Sequence, residues 1–359
     1  MKIRTKTSIS QYRPISHGGR FSGGNRQIDV LDFSSNISPA GLPSLVKSTI
    51  KKKLDEMEYY PDAESLNLIS SLRKYTGLSD SQIVVGNGAI EILYNFCNAF
   101  LSKKHVLIPI PTFSEYESAS KLVDCKFIFF KTINLSENID SFISKIPNNG
   151  CVFVCNPNNP TGTILSKKQL AKIISAAKNK SCFVFVDECF IELVPESNQS
   201  VINLIKKYDN LFILRSLTKS YGLAGIRIGY GLGSRTIIDI LKNIKIPWSV
   251  NALAQQAGII AIKNKSHIKK SKSIIKKESI FLKKKINQIP GFECHDSSTN
   301  FILIKTKDES TKIQKKLLKH KILIRDCKNF RGLNNHYIRI AVKSHKDNLK
   351  LVHAMEAIV

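Results

Sequence analysis

Lys219 sits between hydroxyl residues and ahead of a glycine-containing turn, in the string Ser216-Leu217-Thr218-Lys219-Ser220-Tyr221-Gly222-Leu223-Ala224-Gly225-Ile226-Arg227. These residue types suit covalent chemistry at an amine. A lysine attacks a carbonyl to form a Schiff base only when it is held and partly desolvated, because its free pKa is about 10.4. The hydroxyls and Arg227, eight residues beyond the lysine, can hold a phosphate beside it. By itself Lys219 would read as one more loop lysine in a lysine-rich chain, so it is the whole string that carries weight. Two further strings lie upstream, Asn156-Pro157-Asn158-Asn159-Pro160-Thr161-Gly162 and Val186-Asp187-Glu188-Cys189-Phe190. Each of the three follows an apolar run.

Those runs are the elements that must position the chemistry. Apolar stretches at residues 106–108, 126–130, 151–155, 182–186, 211–214 and 226–230 read as strands, and residues 166–178 read as a helix joining two of them. Residues 83–85 lead into Gly86-Asn87-Gly88-Ala89, which opens a helical run over 90–101 and offers backbone N–H groups to an anion. Continuous apolar strands joined by helices predict an α/β fold with a mainly parallel sheet covered on both faces. In such a sheet the residues after the strands meet at one edge, so Asn159, Asp187 and Lys219 are expected in one site. A single helical stretch is expected over 251–288, ended by Pro290-Gly291. The remainder reads as strand, strand, helix, strand, strand, helix. The expected division is an N-terminal arm (1–30), an N-terminal part packing with the small domain (31–78), a large domain (79–265) and a small α+β domain (266–359).

The chain has 359 residues and a formal charge of +27. A basic chain can serve nucleic acid, a membrane surface or small anions. The lysines are scattered, and the cluster over 263–285 has few aromatics to stack bases, so it reads as a solvated helix face. No nucleic-acid or membrane partner is expected, although the field can steer anionic substrates. The eight cysteines form no Cys-x-x-Cys pair and several lie in apolar runs. They read as reduced thiols of a cytoplasmic protein, with no metal site. The first 28 residues hold no acid and several Ser, Arg and Lys, a faint likeness to a transit peptide, with no apolar core for a secretory signal.

The three strings, in this order, resemble the fold-type I pyridoxal 5'-phosphate (PLP) enzymes, in the branch that contains histidinol-phosphate aminotransferase. The resemblance implies the fold of that class, PLP as cofactor and a homodimer. It implies Lys219 as the catalytic Schiff-base lysine, Asp187 on the pyridine nitrogen and Asn159 on the ring 3-oxygen. By the same resemblance Ser216, Thr218 and Arg227 hold the cofactor phosphate, with backbone N–H groups of Gly88 and Ala89. Phe113, in Pro111-Thr112-Phe113-Ser114-Glu115-Tyr116, matches the aromatic stacked on the ring, and Tyr60 a tyrosine that reaches the neighbouring subunit's cofactor phosphate. Arg339 matches the arginine that clamps a substrate α-carboxylate.

A narrower resemblance, over nearly the whole chain, is to the L-threonine-O-3-phosphate decarboxylases of cobalamin biosynthesis. It is carried by His17-Gly18-Gly19, Asp32-Phe33-Ser34-Ser35-Asn36-Ile37, Tyr60-Pro61-Asp62, Asp187-Glu188-Cys189-Phe190-Ile191-Glu192, Ile246-Pro247-Trp248-Ser249-Val250-Asn251 and residues 324–333. Phe190 discriminates best, because related aminotransferases usually carry a tyrosine there with its hydroxyl on the ring oxygen. Ala63 and Arg20 depart from the usual pattern. The resemblance implies decarboxylation of a phosphorylated amino acid, with Arg325 gripping the substrate phosphate and Ser35, Asn36 and His17 assisting. The alternative activity is that of an aminotransferase acting on histidinol phosphate or a related substrate. A DNA-binding regulator on the same scaffold would carry a DNA-binding domain ahead of it, and the roughly thirty residues before Leu31 are too few for one.

Overall fold

A computed structural model describes residues 7–10, 12, 14, 15, 17–21, 29–196 and 199–359. Much of the expected N-terminal arm, residues 1–6, 11, 13, 16 and 22–28, lies outside the described residues. The strands in chain order are β1 (Leu31–Asp32), β2 (Ile83–Gly86), β3 (His105–Ile110), β4 (Lys126–Lys131), β5 (Cys151–Cys155), β6 (Phe183–Asp187), β7 (Leu211–Ser216), β8 (Gly229–Gly233), β9 (Phe292–Cys294), β10 (Phe301–Thr306), β11 (Ile322–Leu323), β12 (Arg325–Asp326) and β13 (Tyr337–Ala341).

Seven of them form one sheet in the order β2-β8-β7-β6-β5-β3-β4. β8 runs antiparallel to both its neighbours, and the other adjacent pairs are parallel. The composition of the strands explains the layering. Every residue of Cys-Val-Phe-Val-Cys in β5 is buried, because successive side chains alternate between two covered faces. Val152 and Val154 pack with Ile173, Ile174 and Ala257 on one side. Phe153, Phe185 and Phe212 pack with Phe96 and Leu241 on the other. Helix Gly88–Phe100 covers that second face and helix Lys167–Lys178 the first.

A second sheet, β12-β13-β10-β9, is antiparallel throughout. Ile302, Ile304, Ile338 and Ile340 face Leu317, Leu351 and Met355 there. β1 pairs in parallel with β11 as a separate two-stranded sheet, and Phe33 and Ile322 beside that pairing join the same core.

Three expectations need correction. Between the last two helices stand three strands, β11, β12 and β13, where two were expected. The helical stretch expected over 251–288 is two helices, Ala252–Lys263 and Lys265–Ile286. Asn264 leaves helical geometry (φ −86°, ψ 70°), and its side chain accepts from the His267 N–H to cap the second helix. The strand expected over 226–230 begins only at Gly229. Arg227 has φ 62°, a left-handed conformation that no strand residue adopts.

Candidate active site

Lys219 lies in a single helical turn, Leu217–Ser220, directly after β7. Ser216 caps this turn, its Oγ accepting from the Thr218 N–H at 3.2 Å. The lysine opens into a cavity of about 370 Å³ at the carboxyl ends of β5, β6 and β7, where α/β folds place ligands. Burial pushes its amine down to about 8, and the nearby Arg339 and Arg227 add to that while Cys189 opposes it. An amine in that range is substantially neutral near pH 8 and therefore nucleophilic.

Asp187 ends β6 in the same cavity and is 5% exposed. Its Oδ2 accepts from the Tyr116 hydroxyl at 2.6 Å and its Oδ1 from the Cys189 N–H at 2.9 Å. Burial raises its carboxyl above the usual range, partly offset by those hydrogen bonds and by the charge of Lys219. Such a carboxylate is suited to a cationic ring nitrogen. Tyr116 has a functional position that the sequence reading gave no role. Its signal was its place in helix Glu115–Leu122, three residues after Phe113.

An anion cradle closes one end of the cavity. Gly88 has φ +77°, and a Cβ added there would come within 2.7 Å of Arg227 Nη2. A Cβ on Gly229 would stand 2.4 Å from the Ala89 nitrogen. Gly229 is therefore required by close approach of backbone, and Gly88 by its positive φ. The left-handed turn at Arg227 brings its guanidinium back to the first residue of helix Gly88–Phe100, where unpaired N–H groups and the helix dipole favour an anion. Ala89, Ser216, Thr218 and Arg227 line the cavity. Gly88 stands behind Arg227 rather than in the lining itself.

At the other end are two buried arginines. β12 and β13 pair in register with Arg325 opposite Arg339, and both line the cavity. Arg339 donates to Asn159 Oδ1 and, at 2.9 Å, to the Ser34 carbonyl. Asn159 thus holds an arginine, a contact absent from the sequence reading. Burial lowers the guanidinium of Arg339 to about 10, with Arg325 contributing in the same direction. Burial also lowers that of Arg325, which lies 5.5 Å from the Phe330 ring centre. Phe190 packs edge-on against Phe301 at 5.1 Å and presents no hydroxyl. Ser35, Asn36, His17 and Phe113 also line the cavity. The Ser35 hydroxyl donates to Asp32 at 2.7 Å, and His17 Nε2 meets Glu115 Oε1 at 2.8 Å. Two buried polar atoms of lining residues, Asn36 Oδ1 and Arg339 Nε, have no hydrogen-bond partner among the described residues.

Tyr60 does not line this cavity. It is 83% exposed, with its ring 5.0 Å from that of Trp248. Tyr221, next but one to the lysine, is also outside it. Its ring stacks on His267 at 5.9 Å. All eight cysteines are buried and unpaired. Among the described residues no helix is long and apolar enough to cross a membrane.

Comparison with known proteins gives the family and the fold. Residues 28–358 match the family described as aminotransferase class I and II. A relative from Caldanaerobacter subterraneus, provisionally named a threonine-phosphate decarboxylase, is 36% identical over 96% of this chain and 94% of its own length. A histidinol-phosphate aminotransferase of Methanococcus aeolicus is 32% identical over 92% of this chain and 90% of its own. The crystal structure of L-threonine-O-3-phosphate decarboxylase from Porphyromonas gingivalis superposes with a TM-score of 0.83, at 25% identity, covering 92% of this chain and 99% of that one.

Proposed function

Because the chain belongs to the aminotransferase class I and II family, whose cofactor is PLP, we propose that it decarboxylates L-threonine O-3-phosphate. The products would be carbon dioxide and (R)-1-amino-2-propanol O-2-phosphate, the linker unit of the cobalamin nucleotide loop. The observation that carries this reading is the pair Arg325 and Arg339, opposite each other on adjacent strands and opening into one cavity. Two guanidinium groups opening into one cavity suit a substrate with a carboxylate on Cα and a phosphate on the adjoining carbon.

The cavity residues fit PLP. The cradle of Gly88, Ala89, Ser216, Thr218 and Arg227 would hold its phosphate, Asp187 its ring nitrogen and Phe113 its face, while Asn159 would lie at the ring oxygen and Lys219 would bind its aldehyde. When bound, PLP supplies an electron sink for a bond broken at the substrate Cα. The protein's own part is orientation and proton handling. Arg339, steadied by Asn159 and the Ser34 carbonyl, would grip the carboxylate as a fork. Arg325 would take the phosphate, aided by Ser35, Asn36 and His17. Gripping both ends decides which bond at Cα faces the sink. Once carbon dioxide has left, Cα needs a proton, and we assign its delivery to Lys219 Nζ. Phe190 leaves the ring oxygen without a hydroxyl donor.

A homodimer is part of the proposal. Met57, Tyr60, Leu66, Ile246 and Trp248 are exposed apolar side chains, and covering them with a second copy would bring Tyr60 to the partner's phosphate cradle. A second reading, histidinol-phosphate aminotransferase, is favoured by the 32% identical relative of that name. Parallel assays separate the two. Aminopropanol phosphate formed from threonine phosphate without a keto acid supports decarboxylation. Efficient glutamate formation from histidinol phosphate and 2-oxoglutarate rejects it.

A further inference from the structure

A buried ionic cluster lies behind the cavity, and none of the chemistry above uses it. Arg215, the residue before Ser216 in β7, is 6% exposed. Its Nε donates to Glu188 Oε2 at 2.8 Å and its Nη1 to Glu192 Oε1 at 2.6 Å. Glu188 also accepts from the Ser200 hydroxyl and the Val201 N–H, each at 2.8 Å. The second oxygen of Glu192 accepts from the Ser220 hydroxyl at 3.0 Å. One guanidinium thus serves two buried carboxylates.

The sequence positions give this cluster its meaning. Glu188 follows Asp187, and Ser220 follows Lys219. The strands beneath them are already joined, with Asp187 opposite Leu214 in the parallel pairing of β6 and β7. The helix Leu217–Ser220 is not part of that ladder and has only four residues. One helical turn has almost no stability of its own, so its direction must come from tertiary contacts. The Ser220–Glu192 bond is such a contact, and Arg215 anchors Glu192 to β7 and to Glu188, the residue after β6. Burying three charges is a poor route to stability, since apolar packing of the same volume serves as well or better. A fixed geometry is what the cluster supplies.

We propose that Arg215, Glu192 and Ser220 are positioning residues that fix the helix Leu217–Ser220 and so set the placement of Lys219 Nζ relative to the Asp187 carboxylate. The test uses Ser220→Ala, which removes only the tether, with Ser220→Thr as the variant that keeps the hydroxyl. Three quantities are read: the rate at which apoprotein captures added PLP, the pH midpoint of the visible absorbance of the lysine-bound cofactor, and the melting temperature. For Ser220→Ala, capture is expected to slow about tenfold and the midpoint to move by at least half a pH unit, while melting stays within a few degrees of wild type. Ser220→Thr is expected to recover most of the capture rate. Capture and midpoint unchanged in Ser220→Ala would overturn the proposal. So would a large fall in melting temperature with both unchanged, which would make the cluster a stability element alone. These readouts do not depend on which amino acid the enzyme acts upon.

Discussion

Replacing Arg325 by methionine tests the assignment of the substrate phosphate most sharply. Arg325 is buried, the whole residue being 9% exposed, and stands opposite Arg339. A hydrogen bond between charged groups contributes about 1.5–3 kcal/mol, so a two-pronged grip on phosphate contributes roughly 3–6 kcal/mol. Part of that is already offset in the free enzyme by the cost of burying the charge beside Arg339. About 3–4 kcal/mol should remain, and at 1.4 kcal/mol per tenfold this is a loss of roughly 10²–10³ in kcat/KM for threonine phosphate. The loss should fall on kcat as well as on KM, because the grip on the phosphate also orients the bond that breaks at Cα. Unphosphorylated threonine, a poor substrate to begin with, should be affected less than about threefold. Removing this neighbour should also let the Arg339 guanidinium rise from about 10, since Arg325 is one of the groups that depress it. The assay is steady-state decarboxylation of both amino acids by wild type and variant. Equal losses with the two substrates would refute the reasoning and leave Arg325 as a structural charge.

Other outcomes follow from the same geometry. Capture of PLP by the apoprotein needs neutral Lys219, whose amine is lowered to about 8, so the rate should climb through pH 8 and level off above it. In Arg339→Met a depressing cation is lost, the ammonium is favoured, and the midpoint should move to higher pH; a midpoint that stays put or falls would contradict the stated cause. Phe190→Tyr restores a hydroxyl beside the ring oxygen and should raise transamination relative to decarboxylation, measured as PLP converted to its amine form per turnover. An unchanged ratio would count against that reading of Phe190. If Tyr60 acts across a homodimer, Lys219→Ala and Tyr60→Phe subunits, each weak alone, should regain up to about a quarter of wild-type activity when mixed, because half the dimers then hold one intact site. No recovery on mixing would leave Tyr60 outside the site.

The chemistry was legible in the sequence where each residue follows its own strand. Asn159, Asp187 and Lys219 each come soon after an apolar run, and a parallel sheet brings such positions to one edge. Contacts between distant segments were not legible. Tyr116 reaches Asp187 across 71 residues and Arg215 reaches Glu188 across 27, pairings that exist only once the strands have stacked in their order. The break at Asn264 was hidden because apolar spacing continues on both sides of it. The late start of β8 was hidden because nothing in an arginine announces the left-handed conformation that Arg227 adopts. The register that sets Arg325 opposite Arg339 was likewise beyond the sequence, since it depends on how β12 and β13 pair.

The most direct test of the central claim is carbon dioxide release from carboxyl-labelled L-threonine O-3-phosphate by the purified, PLP-loaded protein with no keto acid present. Repeated turnovers, with one aminopropanol phosphate formed per carbon dioxide, are the expected result. A spectrum that responds to amino acids without any release of label, together with amino transfer once 2-oxoglutarate is added, would contradict decarboxylation and make the protein an aminotransferase.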